Sequence, residues 1–199
     1  LFNGMSPQVH PAALGRILSQ IRFGSTLNIA ASLAHPARPV LGLRGVYHPD
    51  LCERVARLMQ AIGYRRALVV CGSDAETGRH MDEISPCGST QACELIDGNL
   101  RYFSIAPEAF GLSRHPLGAI LRRGTPEDER SRFLALLEGR GEPALNDFVC
   151  LNAGAILWLA GRCTSLTEGV AQAKALLASG AAMSRLSMWQ ACQQQTRRL

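Results

Sequence analysis

Two adjacent acidic residues, Asp82 and Glu83, close a polar loop that follows the apolar run ALVVC at residues 67–71. Carboxylate oxygens are hard ligands, and magnesium bound by one or two carboxylates usually also carries a substrate phosphate. One interpretation of this pair is therefore a magnesium site that receives a phosphorylated substrate. The other is a pair of solvated loop acids, and composition alone favours that second interpretation because acidic dipeptides are common.

The elements before the loop predict how it is positioned. A short run that is apolar at every position is typical of a strand buried on both faces. A strand over residues 40–47 and a helix over 49–62, ended by Gly63, precede it. This strand–helix–strand order predicts parallel pairing with a right-handed crossover. Ligands of such sheets gather beyond the carboxyl ends of the strands, where the acidic loop lies.

The rest of the chain predicts an antiparallel margin and a helical end. Asp97-Gly98 between two strand-like runs indicates a hairpin. Thr125 starts a helix that ends near Gly139, and a second helix covers residues 145–160. Ser165 and Glu168 indicate a capping box for a third helix, and one more helix follows. Residues 11–21 also predict a helix, whereas 23–39 predict a long loop. We expect an α/β fold with a mixed, largely parallel sheet flanked by helices.

Composition restricts the class of protein. The 199 residues are 47% hydrophobic with a net charge of +5, and the basic residues are scattered rather than clustered. Seven cysteines without a CxxC pair are typical of reduced thiols in a cytoplasmic protein. No apolar stretch is long enough to span a bilayer. We expect residues 1–199 to form one α/β domain, and because the chain begins at Leu1, to be the later part of a longer protein.

Several short phrases, in order along nearly the whole chain, resemble the anthranilate phosphoribosyltransferase family, within the superfamily of glycosyltransferase family 3 and class II nucleoside phosphorylases. Each phrase is weak alone, but their order and spacing are specific. The phrases are His10-Pro11-Ala12, Leu27-Asn28, Gly45-Val46-Tyr47, Asp82-Glu83-Ile84-Ser85, PEAFGL at 107–112 and Leu151-Asn152-Ala153.

The resemblance implies a helical amino-terminal domain joined to an α/β domain. It also implies transfer of a phosphoribosyl group from phosphoribosyl pyrophosphate (PRPP) to anthranilate, a step of tryptophan biosynthesis, with Mg²⁺ on the pyrophosphate. Asp82 and Glu83 would be the metal-binding pair, while His10, Arg22 and Asn28 would be substrate-binding residues. No catalytic residue is assigned.

The sequence also departs from the family pattern. The glycine-rich diphosphate loop of the family is absent, and the position of its anthranilate-binding arginine is Gly24 here. Arg22 could take over that contact or be a solvated residue at a helix end. Residues 73–80 look like an insertion before the acidic pair, and His80 within it could contact phosphate or be loop decoration.

Other interpretations stay open from the sequence. His10 precedes a proline and could be structural, and Asn28 could satisfy backbone groups. An alternative for the whole chain is a non-catalytic paralogue that binds nucleic acid through a basic surface; a related nucleoside phosphorylase is disfavoured. The expected partners are PRPP and a small aromatic acceptor, with no membrane. The resemblance allows a homodimer, but the sequence does not set the oligomeric state.

Overall fold

The computed structural model describes residues 17, 20, 21, 26–33, 35 and 37–196. Within them a five-stranded sheet has the order β1-β2-β4-β5, and β3 pairs with the end of β2. The strands are β1 (Leu41–Gly45), β2 (Arg66–Ser73), β3 (His80–Met81), β4 (Thr90–Ile96) and β5 (Asn99–Ile105).

The pairing of the strands confirms a mixed sheet. β1 and β2 are parallel, as the crossover predicts, whereas β2–β3, β2–β4 and β4–β5 are antiparallel. The parallel part of the described sheet is therefore smaller than expected. The reason is that the chain returns from β2 to β4 through a loop and β3, without the crossover helix that a parallel return needs.

Helices flank the sheet. Residues 17 and 20 are helical, and among the helices whose bounds are described, two come before β2 and four follow β5, with two short 3₁₀ helices, Pro107–Phe110 and Leu117–Ala119, between them. The α-helices are α1 (Thr26–Leu33), α2 (Leu51–Ala61), α3 (Pro126–Leu137), α4 (Pro143–Leu159), α5 (Leu166–Ala178) and α6 (Ala181–Thr196). Among the described residues, none of these helices combines the length and apolarity that crossing a bilayer requires.

Helix α1 corrects the expectation of an irregular loop over residues 23–39. Ile29 and Leu33 are buried and pack into the same cluster as Val46 and Val55. They lie four residues apart, so one helical face carries both. The intervening residues include two alanines, which have the highest helix propensity. The prolines beyond the helix hid this short segment from a periodicity argument.

Strand β2 is covered on both faces, as its apolar run predicts. Leu68 and Val70 belong to a cluster formed with helices α4 and α5. Ala67, Val69 and Cys71 point the other way, into the cluster with α1 and α2. Because side chains alternate along a strand, one short run supplies both cores. β2 is therefore the central support of the loop that follows it.

Most of the turns and helix ends that the sequence predicts are present in the structure. Asp97 and Gly98 both have positive φ, 44° and 86°, as expected for the hairpin. Thr125 and Asp128 form a complete capping box at the start of α3. At α5 the capping box is only half present, because Ser165 accepts the N–H of Glu168 but the Glu168 carboxylate accepts the N–H of Thr164 instead.

A buried acidic residue ties the sheet to helix α4. Glu94 on β4 is almost fully buried and pairs with Arg66 at 3.2 Å and Arg101 at 2.6 Å. Arg66 also donates to the carbonyl of Trp158 at 3.1 Å, and its guanidinium lies 4.5 Å from the centroid of that ring. No pattern in the sequence indicated this network.

The thiols match the sequence expectation. All seven cysteines lie in the described residues, six are buried, and no disulfide joins them. Burial raises the pKa of the Cys71 thiol to about 11, and the charge of Asp82 adds to this. A thiol in that state is protonated and packs as a small apolar side chain.

Candidate metal centre

The acidic loop lies on the carboxyl ends of the parallel strands β1 and β2, as the sequence predicts. A Cβ atom at Gly45, the last residue of β1, would overlap the backbone carbonyl of Asp82. A Cβ at Gly72, near the end of β2, would overlap the carbonyl of Glu83. Only glycine allows so close an approach of two backbones. These two residues therefore set the position of the acidic pair against the sheet.

Helix α4 holds the other side of the loop. The Asn152 side-chain oxygen accepts the N–H of Ile84 at 2.9 Å, and its nitrogen donates to the carbonyl of Ile84 at 3.0 Å. The second N–H of the amide donates to the carbonyl of Phe148 at 2.9 Å. Asn152 is thus a hydrogen-bonding support in an apolar helix.

Ser85 and Thr90 fix the residues after the acidic pair. The Ser85 hydroxyl donates to the carbonyl of Ser73 at 2.6 Å and accepts the N–H of Cys87 at 3.0 Å. The Thr90 hydroxyl accepts the N–H of Ser85 at 2.9 Å. Both side chains are fully buried. Their role is structural, and they hold the loop against the ends of β2 and β4.

The two carboxylates are available for a ligand. Asp82 and Glu83 are exposed, and neither forms an ion pair or a side-chain hydrogen bond with any described residue. The pKa of the Glu83 carboxyl is raised, mainly because neighbouring protein atoms partly desolvate it and further because Asp82 is negative. Two adjacent negative groups without a cation repel each other, so the pair is complementary to a bound cation.

The donor set favours a hard cation with water or substrate as additional ligands. Within the described residues, no cluster of three or more His, Cys, Asp or Glu side chains could form a closed protein cage. Magnesium is commonly bound by one or two carboxylates and completes its shell with water and substrate phosphate oxygens. Asp82 and Glu83 fit that pattern.

Arg44 on β1 was missed by the sequence interpretation. It forms no hydrogen bond or ion pair within the described part of the chain, and its Nε is buried without a partner. Burial lowers the pKa of its guanidinium, and the negative charge of Asp82 opposes that change. An arginine in the middle of a short strand was the available signal, because an unpaired charge in such a position is unfavourable.

The segment between β2 and β3, before the acidic pair, is a compact turn. The Asp74 side chain is buried and accepts hydrogen bonds from the N–H of Thr77 at 3.1 Å and from its hydroxyl at 2.5 Å. Strand β3 then returns alongside β2. His80 on β3 is exposed and contacts His48 edge to face, with 5.6 Å between the ring centroids.

The three expected substrate-binding residues lie wholly or partly outside the described structure. His10 and Arg22 lie outside the described residues, as does Gly24. Asn28 is in helix α1 rather than in a loop, and only its backbone is described. Their roles therefore stay predictions.

Comparison with known proteins identifies the family. The sequence model of "Glycosyl transferase family, a/b domain" matches residues 4–183. The anthranilate phosphoribosyltransferase of Polynucleobacter necessarius subsp. necessarius is 39% identical over 183 residues, covering 91% of this chain and 52% of that protein. That of Laribacter hongkongensis is 43% identical over 159 residues, covering 80% and 44%. The chain spans about half the length of the curated relatives it matches.

Solved structures show the same fold. Anthranilate phosphoribosyltransferase from Thermus thermophilus superposes with a TM-score of 0.76 at 33% identity, covering 90% of this chain and 52% of that one. The Saccharomyces cerevisiae enzyme in complex with PRPP and Mg has a TM-score of 0.72 at 24% identity, covering 88% and 49%. The chain belongs to the glycosyl transferase family, and it shares its α/β domain with these anthranilate phosphoribosyltransferases.

Proposed function

We propose that this protein is a magnesium-dependent phosphoribosyltransferase that transfers the phosphoribosyl group of PRPP to an aromatic amine. Anthranilate is the proposed acceptor, by analogy with its relatives, which would make the reaction a step of tryptophan biosynthesis. The observation that carries this proposal is the unpaired Asp82–Glu83 dipeptide at the carboxyl edge of the parallel strands. The relatives described above are transferases, so they give no support to the nucleic-acid-binding alternative.

Asp82 and Glu83 are the residues that would hold Mg²⁺. The support is physical: the two acidic residues are adjacent in the chain, neither carboxylate forms an ion pair with a described residue, and the pKa of Glu83 is raised by partial desolvation and by its negative neighbour. Magnesium bound there would offset the negative charge that accumulates on the departing diphosphate.

The transfer forms a bond from the acceptor nitrogen to the ribose carbon C1 and breaks the bond from C1 to the diphosphate oxygen. The acceptor nitrogen gives up one proton, to solvent or to the released diphosphate, and the electron pair of the broken bond leaves on the diphosphate. The contribution of the protein is to hold the two reactants in line, which alone can supply a large part of the rate enhancement. Asn152, Gly45 and Gly72 serve this purpose by fixing the acidic loop.

Three further residues belong to the same proposal. We assign His10, Arg22 and Asn28 to the substrates on the strength of the sequence resemblance. An arginine can hold the carboxylate of an aromatic acid through a planar, two-pronged contact. The homodimer and the cytoplasmic location expected from the sequence are also part of this proposal.

A fluorescence assay of the full-length protein tests the function. Anthranilate is fluorescent, so its consumption can be followed with PRPP and Mg²⁺ present, with PRPP omitted, and with a chelator in excess. We expect consumption only when PRPP and free Mg²⁺ are both present. Consumption that continues in the chelator, or binding of PRPP that is indifferent to Mg²⁺, would contradict the assignment of the acidic pair.

A further inference from the structure

Arg44 carries a positive charge that has no partner within the described part of the chain. Its side chain is half-buried, and its Nε is fully buried with no acceptor in reach. By comparison, the arginines on the other strands of the sheet, Arg66 and Arg101, both pair with Glu94, and Arg66 also donates to the carbonyl of Trp158. Leaving a charged donor desolvated and unsatisfied is unfavourable, so such a residue requires an explanation.

The position of Arg44 links it to the acidic loop. It directly precedes Gly45, on which the backbone of Asp82 rests. It is near enough to Asp82 for electrostatic attraction, but the two do not form an ion pair. One rim of the sheet therefore carries both a pair of free carboxylates and a free guanidinium.

This combination is suited to an anion that is bound by two positive groups. The first would be a metal cation held by the carboxylates, and the second is the guanidinium of Arg44. Arginine presents a fork of N–H donors that matches carboxylate and phosphate oxygens. Because part of the side chain is already desolvated, a contact there would be stronger than one in bulk water.

We propose that Arg44 binds a substrate oxyanion at this site, either a phosphate oxygen of PRPP or the carboxylate of the aromatic acceptor. This inference rests on the proposed function and adds a specificity residue to it. The competing explanation is that Arg44 only orients Asp82 within the folded protein.

The two explanations predict opposite effects on stability and metal binding. If Arg44 binds a ligand, Arg44→Met removes an uncompensated charge and leaves the melting temperature of the ligand-free protein unchanged or higher. Binding of Mn²⁺ alone, as a probe for Mg²⁺, should then stay the same or tighten. If Arg44 orients Asp82, the same substitution should lower the melting temperature and weaken Mn²⁺ binding.

Calorimetric titration of the full-length protein tests the inference. The proteins are wild type, Arg44→Met and the control Arg65→Met, which removes an exposed arginine at the opposite end of β2. The ligands are PRPP with Mg²⁺, pyrophosphate with Mg²⁺, anthranilate and benzoate. We expect Arg44→Met to weaken the binding of one class of ligand, either the phosphates or the carboxylates, by about 10- to 100-fold, as for a lost hydrogen bond to a charged group. Arg65→Met should bind all four as wild type does.

Each outcome has a defined meaning. Loss confined to PRPP and pyrophosphate assigns Arg44 to phosphate, and loss confined to anthranilate and benzoate assigns it to the carboxylate. Unchanged binding of all four ligands overturns the inference, as does loss of Mn²⁺ binding with a lower melting temperature. If wild-type protein binds pyrophosphate or benzoate but not PRPP, the proposed function is contradicted and the inference is not. In that case, weaker binding of pyrophosphate or benzoate by Arg44→Met than by wild type still supports the inference. Wild-type protein that binds none of them overturns both.

Discussion

The side-chain amide of Asn152 brackets Ile84, accepting its N–H at 2.9 Å and donating to its carbonyl at 3.0 Å. Ile84 directly follows Glu83, so this contact joins helix α4 to the acidic loop between residues 68 apart in sequence. The loop is therefore held from two sides, by the glycines of β1 and β2 below and by this amide from the helix.

Replacing Asn152 by Leu should loosen the loop. The substitution leaves the N–H and carbonyl of the buried Ile84 without partners. We expect the free energy of unfolding to fall by about 2–3 kcal/mol, the penalty for unsatisfied buried groups, in urea titrations. Magnesium-dependent PRPP binding should weaken as well. The matched control is Asn99→Leu at the exposed hairpin, for which both quantities should stay near wild type; equal loss in both variants would show that the bracket has no special role.

Adding a methyl group at Gly45 should displace Asp82. A Cβ there overlaps the Asp82 backbone, and backbone cannot yield as a flexible side chain can. Gly45→Ala is expected to cost about 1–3 kcal/mol of stability and to reduce PRPP binding in the presence of Mg²⁺. Gly118→Ala is the control, because a Cβ at that exposed residue meets nothing within 4 Å. Wild-type PRPP affinity in Gly45→Ala would mean that the loop position is not set by this contact.

The raised pKa of Glu83 predicts a pH dependence of stability in the absence of metal. Between the ordinary glutamate pKa of about 4.3 and the raised value, the folded protein binds more protons than the unfolded chain. Stability therefore falls as pH rises through that interval, and the loss persists at higher pH. Glu83→Gln removes the penalty, so it should melt at a higher temperature than wild type at pH 7 in a chelator.

Magnesium should reverse the order of the melting temperatures, so that wild type melts above Glu83→Gln. Wild type gains stability from the bound ion, whereas Glu83→Gln loses a ligand and gains less. Glu76→Gln, which changes an exposed acid in the neighbouring turn, serves as the control and should follow wild type with and without the ion. A Glu83→Gln variant that melts below wild type in a chelator, or responds to Mg²⁺ as wild type does, would contradict this interpretation of the carboxyl pair.

The sequence predicts those parts of the site that depend on local pattern. The two-faced strand β2, the hairpin at Asp97 and the location of Asp82 all follow from periodicity, turn chemistry and the rule for parallel sheets. The unpaired state of Arg44 and the ion pairs of Glu94 could not be predicted in this way, because they depend on contacts between residues far apart in the sequence. Arg66, for example, reaches the carbonyl of Trp158, 92 positions further along the chain.

That buried network makes a prediction about stability alone. Glu94→Gln leaves the guanidinium of Arg66 without its carboxylate in a largely buried position, which typically costs about 3 kcal/mol. Urea unfolding should show this loss. Glu127→Gln breaks an exposed pair with Arg130 and should cost less than about 1 kcal/mol. Similar values for the two variants would indicate that burial adds nothing to the Glu94 pairs.

Calorimetric titration of PRPP into the Asp82→Asn variant tests the magnesium assignment most directly. The control is Asp97→Asn, which makes the same chemical change in a hairpin turn where asparagine is equally suited to the positive φ. We expect wild type and Asp97→Asn to bind PRPP only with Mg²⁺ present, and Asp82→Asn to bind at least about tenfold more weakly. Wild-type affinity and the same Mg²⁺ dependence in Asp82→Asn would show that the acidic pair does not hold the ion.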